Sequence, residues 1–196
     1  MKMKLCGPVE NGKGAREMVE DLMRPPYFPV HCKEVRSHID HKNFEFPKTL
    51  VTLIHPQGGY KFMNLDKYER LIRDEKFLPI GKGRYPVGEC LVVTMYKSHH
   101  PEYTISYRFE EKTTGKVFVF LTDHENEAAA SIEIKNHLKK VDLLVMDAQY
   151  SGKKYELRTA GFGHGTPGYC AELAKIVGAK ILDLLTMTQD RQMMMF

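Results

Sequence analysis

Two short apolar stretches give the clearest indication of the fold: residues 117–123 read VFVFLTD, and residues 141–147 read VDLLVMD. Each has the length and the β-branched, aromatic and aliphatic composition of a buried strand, and each ends at an aspartate. Residues 127–139, which lie between them, are predicted to form a helix. The order strand, helix, strand predicts a layered α/β fold.

The rest of the C-terminal half extends this pattern. Residues 91–96 predict a strand, and alternating Tyr103, Ile105, Tyr107 and Phe109 predict another with one face in water. After residues 161–165 (GFGHG), Thr166 is a predicted helix N-cap followed by proline, Gly178 closes that helix, and residues 181–185 form the last strand.

The N-terminal half has weaker signals. Residues 1–6 and 50–54 predict short strands, residues 14–23 have helical spacing, and the prolines of residues 25–29 predict an extended segment. Residues 60–84 are polar and are interpreted as an insertion outside the core. We expect a single domain over residues 1–196.

Polar side chains follow several predicted strand ends: His99, His100, Asp123, Asp147 and His164. In layered α/β folds such positions converge on one rim, where ligands bind. The sequence therefore predicts a ligand site at that rim.

Composition limits the function. Of the 196 residues, 42% are hydrophobic and 28% are charged, which is typical of a soluble globular protein. The net charge of +4 is scattered, which argues against a long nucleic acid but leaves a small anionic ligand open. The four cysteines lack C-x-x-C spacing and are interpreted as free thiols. With neither a secretory signal pattern nor a run of about 20 apolar residues, a cytoplasmic protein without a membrane partner is expected.

From His99 onward the chain resembles the metallo-β-lactamase fold, in its ribonuclease Z-like branch with cyclic-nucleotide phosphodiesterases. The resemblance lies in the order of five elements: HP at 100–101, GKV at 115–117, LTD at 121–123, DAQY at 147–150 and GHGT at 163–166. Residues 25–30 (PPYFPV) are similar to a loop that these phosphodiesterases place near the site, in some members across a dimer. The expected fold class is α/β, an incomplete metallo-β-lactamase-like αββα sandwich.

The resemblance implies roles for three residues. His100 corresponds to a metal ligand, Asp123 to the carboxylate that bridges two metal ions, and His164 to the proton donor or a phosphate contact. In an active member the metal would be zinc or manganese, and two such ions can activate a hydroxide and stabilise a phosphoryl group.

The sequence departs from the family pattern in two places. The H-x-H-x-D-H motif of the family normally precedes the region with which this chain begins, so a fold shortened at its N-terminus is expected. A family histidine after the last strand aligns with Thr186 or Met187. Residues 36–41 (RSHIDH) could be a relocated cluster, but alignment predicts a plain strand there. We therefore expect that a tight dinuclear centre, and with it any cofactor, is lost.

Each candidate also has a structural interpretation. His99 and His100 could mark only a polar strand exit, Asp123 could cap the following helix, and His164 could lie in a tight turn. Thr166 and the N-terminus of its helix suit a phosphate. The aromatic side chains of Tyr27 and Phe28 could stack on a base, or pack in a core or a dimer interface.

Three functions follow. The preferred one is a degenerate member that binds and sequesters a small phosphorylated ligand such as a cyclic nucleotide. Some phage-encoded relatives destroy such signals to disarm bacterial defence, so by analogy this chain would be an anti-defence protein. The second is an active metal-dependent phosphodiesterase, with missing ligands supplied by His38, Asp40 and His41 or by a partner. The third is a protein interaction module. A homodimer is expected in each case, because a shortened sheet exposes edges and apolar surface.

Overall fold

The computed structural model describes residues 3–35, 39–44 and 50–185, except the side chains of Val35 and Phe44. The chain divides into two compact units, Met1–Lys48 and Thr49–Phe196, which are described separately. That the whole chain forms one domain stays a prediction. Within the described residues, no helix combines the length and the apolar character needed to cross a membrane.

The N-terminal unit contains β1 (Met3–Pro8), α1 (Ala15–Leu22), α2 (Cys32–Val35) and β2 (Ile39–Phe44). Strands β1 and β2 are parallel, with Met3 opposite Ile39. The predicted N-terminal strand and helix are confirmed. Helix α1 begins where the Asn43 side chain accepts a hydrogen bond from the Ala15 N–H at 3.2 Å, which joins the helix to β2.

The proline-rich segment that follows α1 is a turn rather than an extended segment. The Phe28 N–H donates to the Arg24 carbonyl at 3.0 Å, closing the turn. The prediction of extended backbone was wrong here because the φ angle that proline imposes also suits a turn.

Besides two short helical turns at Val87–Glu89 and Tyr155–Thr159, the C-terminal unit contains, over residues 50–185, seven strands of one large sheet, a hairpin and four α-helices. In chain order these are β3 (Leu50–His55), β4 (Gly59–Asn64), α3 (Leu65–Asp74), β5 (Phe77–Ile80), β6 (Gly83–Pro86), β7 (Leu91–Lys97), β8 (Ile105–Glu111), β9 (Lys116–Leu121), α4 (Ile132–His137), β10 (Leu143–Asp147), α5 (Gly152–Lys154), α6 (Pro167–Val177) and β11 (Ile181–Leu185).

The large sheet has the strand order β11-β10-β9-β8-β7-β3-β4. Strands β9, β10 and β11 are parallel, whereas the other pairings are antiparallel. The predicted mixed α/β fold is confirmed. Because three strands run in the same direction, their carboxyl ends share one edge of the sheet.

Helices α4 and α6 begin at side-chain caps. The Ser131 hydroxyl accepts from the Ile134 N–H at 3.2 Å, so α4 starts later than the predicted residue 127. Helix α6 runs between Thr166 and Gly178, as predicted. Both helices pack on the sheet through a core that includes Val119, Leu121, Ile134, Leu144 and Leu173. Burying each of these side chains contributes about 1.5–3 kcal/mol.

Residues 60–84 belong to the core, which corrects their interpretation as a polar insertion. Met63, Tyr68, Leu78 and Ile80 are buried in a second cluster with strands β3 and β7. The apolar residues of α3 and β5 lie on the side that faces the core, so a small number of them forms a packed face. The average polarity of the segment does not reveal this arrangement.

The polar face of strand β8 does not lie in water, which corrects the prediction. Ser106 is fully buried, and its hydroxyl lies 2.8 Å from Nε2 of His137 and donates to the Phe120 carbonyl at 3.1 Å. The Arg108 guanidinium donates to the carbonyls of His137 and Lys139 at the end of α4. The polar face therefore points to the helix, because these partners satisfy its hydrogen-bonding groups.

Candidate functional site

Four chain segments bring polar side chains to the rim formed by the carboxyl ends of β9 and β10. Nδ1 of His164 lies 3.0 Å from Oδ2 of Asp147 and 3.5 Å from Oδ1 of Asp123. The imidazole rings of His100 and His164 lie 5.8 Å apart and nearly perpendicular. The structure therefore brings together His100, Asp123, Asp147 and His164, while their chemical roles stay predictions.

Asp147 is the buried anchor of this rim. One of its carboxylate oxygens accepts from the His124 N–H at 3.3 Å. The other lies at 3.0 Å from Nδ1 of His164 and accepts from the Gly165 N–H at 3.4 Å. Because the carboxylate accepts from several donors, its burial is compensated and it holds the loop before α6.

Asp123 has a left-handed backbone, with φ at +53°, and a half-exposed side chain. Its carbonyl accepts from the Thr104 hydroxyl at 3.2 Å. Since the cap of α4 is Ser131, eight residues later, the alternative that Asp123 caps this helix is wrong. The carboxylate is instead directed toward His164.

The hydrogen bonds of His100 fix the tautomer of its neutral ring. Nδ1 accepts from the backbone N–H of Glu102 at 3.0 Å. A ring nitrogen that accepts a hydrogen bond carries no proton, so in the neutral ring the proton is on Nε2. The Nε2 edge lies against Gly163, where any Cβ atom would overlap the ring. His100 therefore offers an N–H donor at the rim.

His164 is held in the opposite way. The carboxylates of Asp147 and Asp123 both face Nδ1, so this nitrogen is the donor and Nε2 is left for another partner. The tight turn considered for this residue is present as well, since Gly163 has φ at +90°. The turn and the orientation of the ring are compatible.

Thr166 has a structural role at the start of α6. Its hydroxyl accepts from the Tyr169 N–H at 3.3 Å, and its N–H donates to the side-chain oxygen of Asn126 at 3.1 Å. The residue is 6% exposed. The predicted cap is confirmed, whereas the predicted phosphate contact stays a prediction.

Two residues that the sequence did not single out connect the loops of the rim. His124 is fully buried, its Nδ1 accepts from the His99 N–H at 3.2 Å, and its Nε2 lies 3.1 Å from the Tyr169 hydroxyl. Burial, together with the charge of His99, lowers the pKa of His124 to about 4, so the ring is neutral near pH 7. This tautomer holds the loop that carries His99 and His100.

Glu125 is the second connecting residue. Its carboxylate accepts from the Gly163 N–H at 2.6 Å and from the Tyr155 hydroxyl. Burial and this carboxylate raise the pKa of Tyr155 to about 12. Both residues directly follow Asp123, and this adjacency is the only sequence signal that could have identified them.

Phe162 is a further exposed neighbour of the site. Its side chain is 60% exposed and precedes Gly163, which contacts the ring of His100. A large exposed aromatic side chain beside polar rim groups is a candidate stacking surface for a flat ligand. Nothing in the local sequence distinguished it from the other aromatic residues.

The other predicted residues have the following environments. Tyr27 and Phe28 are exposed residues of the N-terminal unit, and their part in binding stays a prediction. His99 has a largely exposed ring, 3.9 Å from Glu127. On β2, Asp40 pairs with Lys4 at 3.6 Å. Arg36, Ser37, His38, Thr186 and Met187 lie outside the described residues.

The described residues do not fit the metal centre that the fold suggests. Within residues 3–35, 39–44 and 50–185, no group of three or more His, Cys, Asp or Glu side chains could hold a metal ion. A histidine that binds metal through Nε2 usually donates from Nδ1 to an oxygen atom. His164 has that arrangement, but His100 has the reverse one.

Comparison with solved structures identifies the fold. Human tRNase Z, short form, superposes with a TM-score of 0.50 at 15% identity, covering 94% of this chain and 64% of that one. The metallo-β-lactamase fold protein YhfI from Bacillus subtilis gives 0.50 at 13% identity, covering 95% and 54%. Unliganded yeast PDE1 gives 0.43 at 12% identity, covering 96% and 50%.

The likeness to the first two of these structures shows a metallo-β-lactamase-like fold. The chain spans between half and two thirds of the length of these proteins. No protein-family model matches the sequence, and comparison with curated proteins found no significant match. The activity therefore has to be argued from the site itself.

Proposed function

We propose that the rim binds a small phosphorylated ligand such as a cyclic nucleotide and sequesters it without efficient turnover. One observation carries the proposal: the hydrogen bonds of both His100 and His164 engage Nδ1, which leaves the two Nε2 atoms for a ligand. Nε2 of His100 carries the N–H that a phosphate oxygen accepts, and Nε2 of His164 becomes a second donor when the bound phosphate stabilises the protonated ring.

The carboxylates of the rim decide where the phosphate lies. Asp147 and Glu125 are buried and already accept hydrogen bonds, whereas Asp123 is half-exposed and would repel an anion. We therefore place the phosphate on the Nε2 side of His100 and His164. A ribose hydroxyl would donate to Asp123, and the base would lie against Phe162.

Binding is favoured over hydrolysis by the donor set. The paired His164 and Asp147 could transfer a proton, but a phosphodiester also needs an activated nucleophile. The described residues contain neither a three-ligand group for a metal ion nor the matching tautomer of His100. A tightly held but intact ligand is the expected result.

The test combines three measurements on the purified chain. We would determine its metal content, measure thermal stabilisation by a panel of cyclic nucleotides, and analyse each nucleotide by chromatography afterwards. Stabilisation with the nucleotide recovered intact supports the proposal. Near-stoichiometric zinc or manganese with product formation would instead establish a phosphodiesterase.

Two substitutions then localise the site. His164→Ala should weaken binding of the stabilising nucleotide by about tenfold or more, because it removes a charge-assisted hydrogen bond. His164→Gln places an amide near the position of Nε2 and should retain part of the affinity. Unchanged affinity in both variants would place the site elsewhere.

We also propose that the chain is a homodimer. The sheet face away from α4 and α6 carries Phe109 and Phe118, whose rings stack 5.5 Å apart beside a cavity of about 290 Å³ that Leu91 and Leu143 also line. Apolar surface of this kind supports association. Light scattering after size exclusion should give twice the chain mass of 22.6 kDa, and a monomer would contradict the proposal.

A further inference from the structure

A second cavity lies at the end of the sheet opposite the rim. It has a volume of about 560 Å³ and lies at the amino ends of the parallel strands, where its lining includes Gly115, Lys116, Lys139, Lys140, Asp142 and Lys180. Five to six strand residues separate it from the rim, a distance of about 16–20 Å. Its size is within the range typical of small-molecule sites.

Positive charge dominates this lysine cavity. Four lysines line it, against one aspartate. Asp142 lies 2.6 Å from Lys180 and 3.6 Å from Lys116, and it accepts from the Val117 N–H at 2.9 Å. One carboxylate therefore compensates only part of the charge of these two lysines and leaves an excess in the cavity.

The other two lysines have no carboxylate partner among the described residues. Lys139 and Lys140 follow α4 and are exposed. Lys140, Gly115 and Gly178 all have left-handed backbone, with φ at +56°, +70° and +67°. The backbone bends sharply at each of these three turns, and all three border the same cavity. The lysines therefore reach the cavity from separate loops.

Stabilisation of helix ends does not account for this arrangement. Lysines near a helix C-terminus favour the carbonyls there, but at the end of α4 the Arg108 guanidinium already donates to the carbonyls of His137 and Lys139. Lys116 begins β9, and Lys180 immediately precedes β11. Neither lies in a helix. Their shared feature is the cavity.

We propose that the lysine cavity binds a small anion with several phosphate groups, such as a tripolyphosphate chain. Several ammonium groups around a concave surface match a ligand that carries several charges, since lysine binds phosphate as a point charge. A ligand with one phosphate would engage only part of the cavity. The site is separate from the rim and does not depend on the function proposed for it.

The experiment is titration calorimetry of the full chain with sodium tripolyphosphate at low ionic strength. The variant Lys139→Gln with Lys140→Gln removes two charges but keeps long polar side chains. We expect its dissociation constant to rise by about tenfold or more, as for the loss of charged hydrogen bonds. The matched control, Lys135→Gln with Lys175→Gln, removes two exposed charges outside the cavity and should change it by less than about threefold.

A gain of affinity provides a second test that misfolding cannot imitate. Asp142→Asn keeps an acceptor for the Val117 N–H but removes the negative charge beside Lys116 and Lys180. Tripolyphosphate should then bind about threefold tighter or better. His164→Ala should leave this binding unchanged, which separates the cavity from the rim.

Several outcomes would overturn the proposal. These are the absence of measurable binding by the wild type, an equal loss in the cavity variant and the lysine control, or weaker binding by Asp142→Asn. Binding of a single-stranded oligonucleotide without binding of tripolyphosphate would identify a nucleic-acid surface instead.

Discussion

The Nδ1 atom of His164 lies 3.0 Å from Oδ2 of Asp147, a residue with 3% exposure. Asp147 also accepts the backbone N–H groups of His124 and Gly165. The orientation of His164 is therefore coupled to the conformation of two loops. The two carboxylates that face the ring therefore differ in their expected effect on stability.

Asp147→Asn should destabilise the chain, whereas Asp123→Asn should not. An amide at position 147 cannot accept on both sides, so one N–H loses its partner, at a cost of about 1–3 kcal/mol. Asp123 is half-exposed, and asparagine tolerates its left-handed backbone, so the change there should stay within about 0.5 kcal/mol. Urea unfolding of both variants measures the difference. Equal losses would mean that Asp147 does not anchor the loop.

Gly163→Ala should displace the ring of His100. The added Cβ would overlap that ring, and φ at +90° adds backbone strain. Gly161 is a matched control, because its φ is +88° but a Cβ would meet open space. We expect ligand affinity to fall in the first variant and to persist in the second. A similar loss of affinity in both would exclude the contact with His100 as the cause.

Phe162→Ala should weaken binding of a nucleotide while leaving the fold intact. Stacking on an aromatic side chain contributes about 1–3 kcal/mol per base, which corresponds to about tenfold in affinity or more. Leu157→Ala removes a side chain of comparable exposure (71% against 60%) from the preceding helical turn, Tyr155–Thr159, and serves as the control. Calorimetry with the best cyclic nucleotide distinguishes them, and equal affinities would remove Phe162 from the site.

Stability should fall as the pH decreases from 7 to 5. Burial lowers the pKa of His124 to about 4 and that of His137 to about 3, with His99 and Arg108 as the next causes. In the unfolded chain both histidines titrate near their ordinary pKa of 6.5. Protonation therefore favours the unfolded state below that pH. At pH 5 the loss is on the order of 2 kcal/mol for each histidine.

Unfolding measured at pH 7 and pH 5 tests this dependence. His137→Asn should reduce the difference in the free energy of unfolding between the two pH values, because Ser106, Tyr96 and Arg108 no longer surround a titrating ring. His31→Asn, at a partly exposed position of the N-terminal unit, is the control and should leave the change as it is. A wild-type stability that is constant over this range would contradict the assignment.

The C-terminal strands and α6 could be predicted because their signals are local. Val117 to Leu121 is a continuous apolar run, and Thr166, Pro167 and Gly178 mark the ends of one helix. The resemblance to the metallo-β-lactamase fold used the same elements, and the solved structures agree on the fold. Convergence of Asp123 and Asp147 followed from their positions after neighbouring strands.

The features that the sequence did not predict depend on tertiary contacts between distant parts of the chain. Ser106 and Arg108 look like solvent-facing residues until the end of α4 provides their hydrogen bonds. Tyr68 and Ile80 look isolated until their segment folds onto β3. The roles of His124 and Glu125 require loops from three segments to meet. The polarity of a segment therefore does not predict its burial where distant parts of the chain provide the packing or hydrogen-bond partners.

The left-handed backbone at Asp123 has an evolutionary consequence. Aspartate and asparagine are among the few residues with side chains that adopt this conformation readily, and their codons differ by a single base. A lineage can thus add or remove the negative charge here in one mutational step, without refolding the loop. Selection on ligand chemistry at this position is free to act independently of selection on the fold.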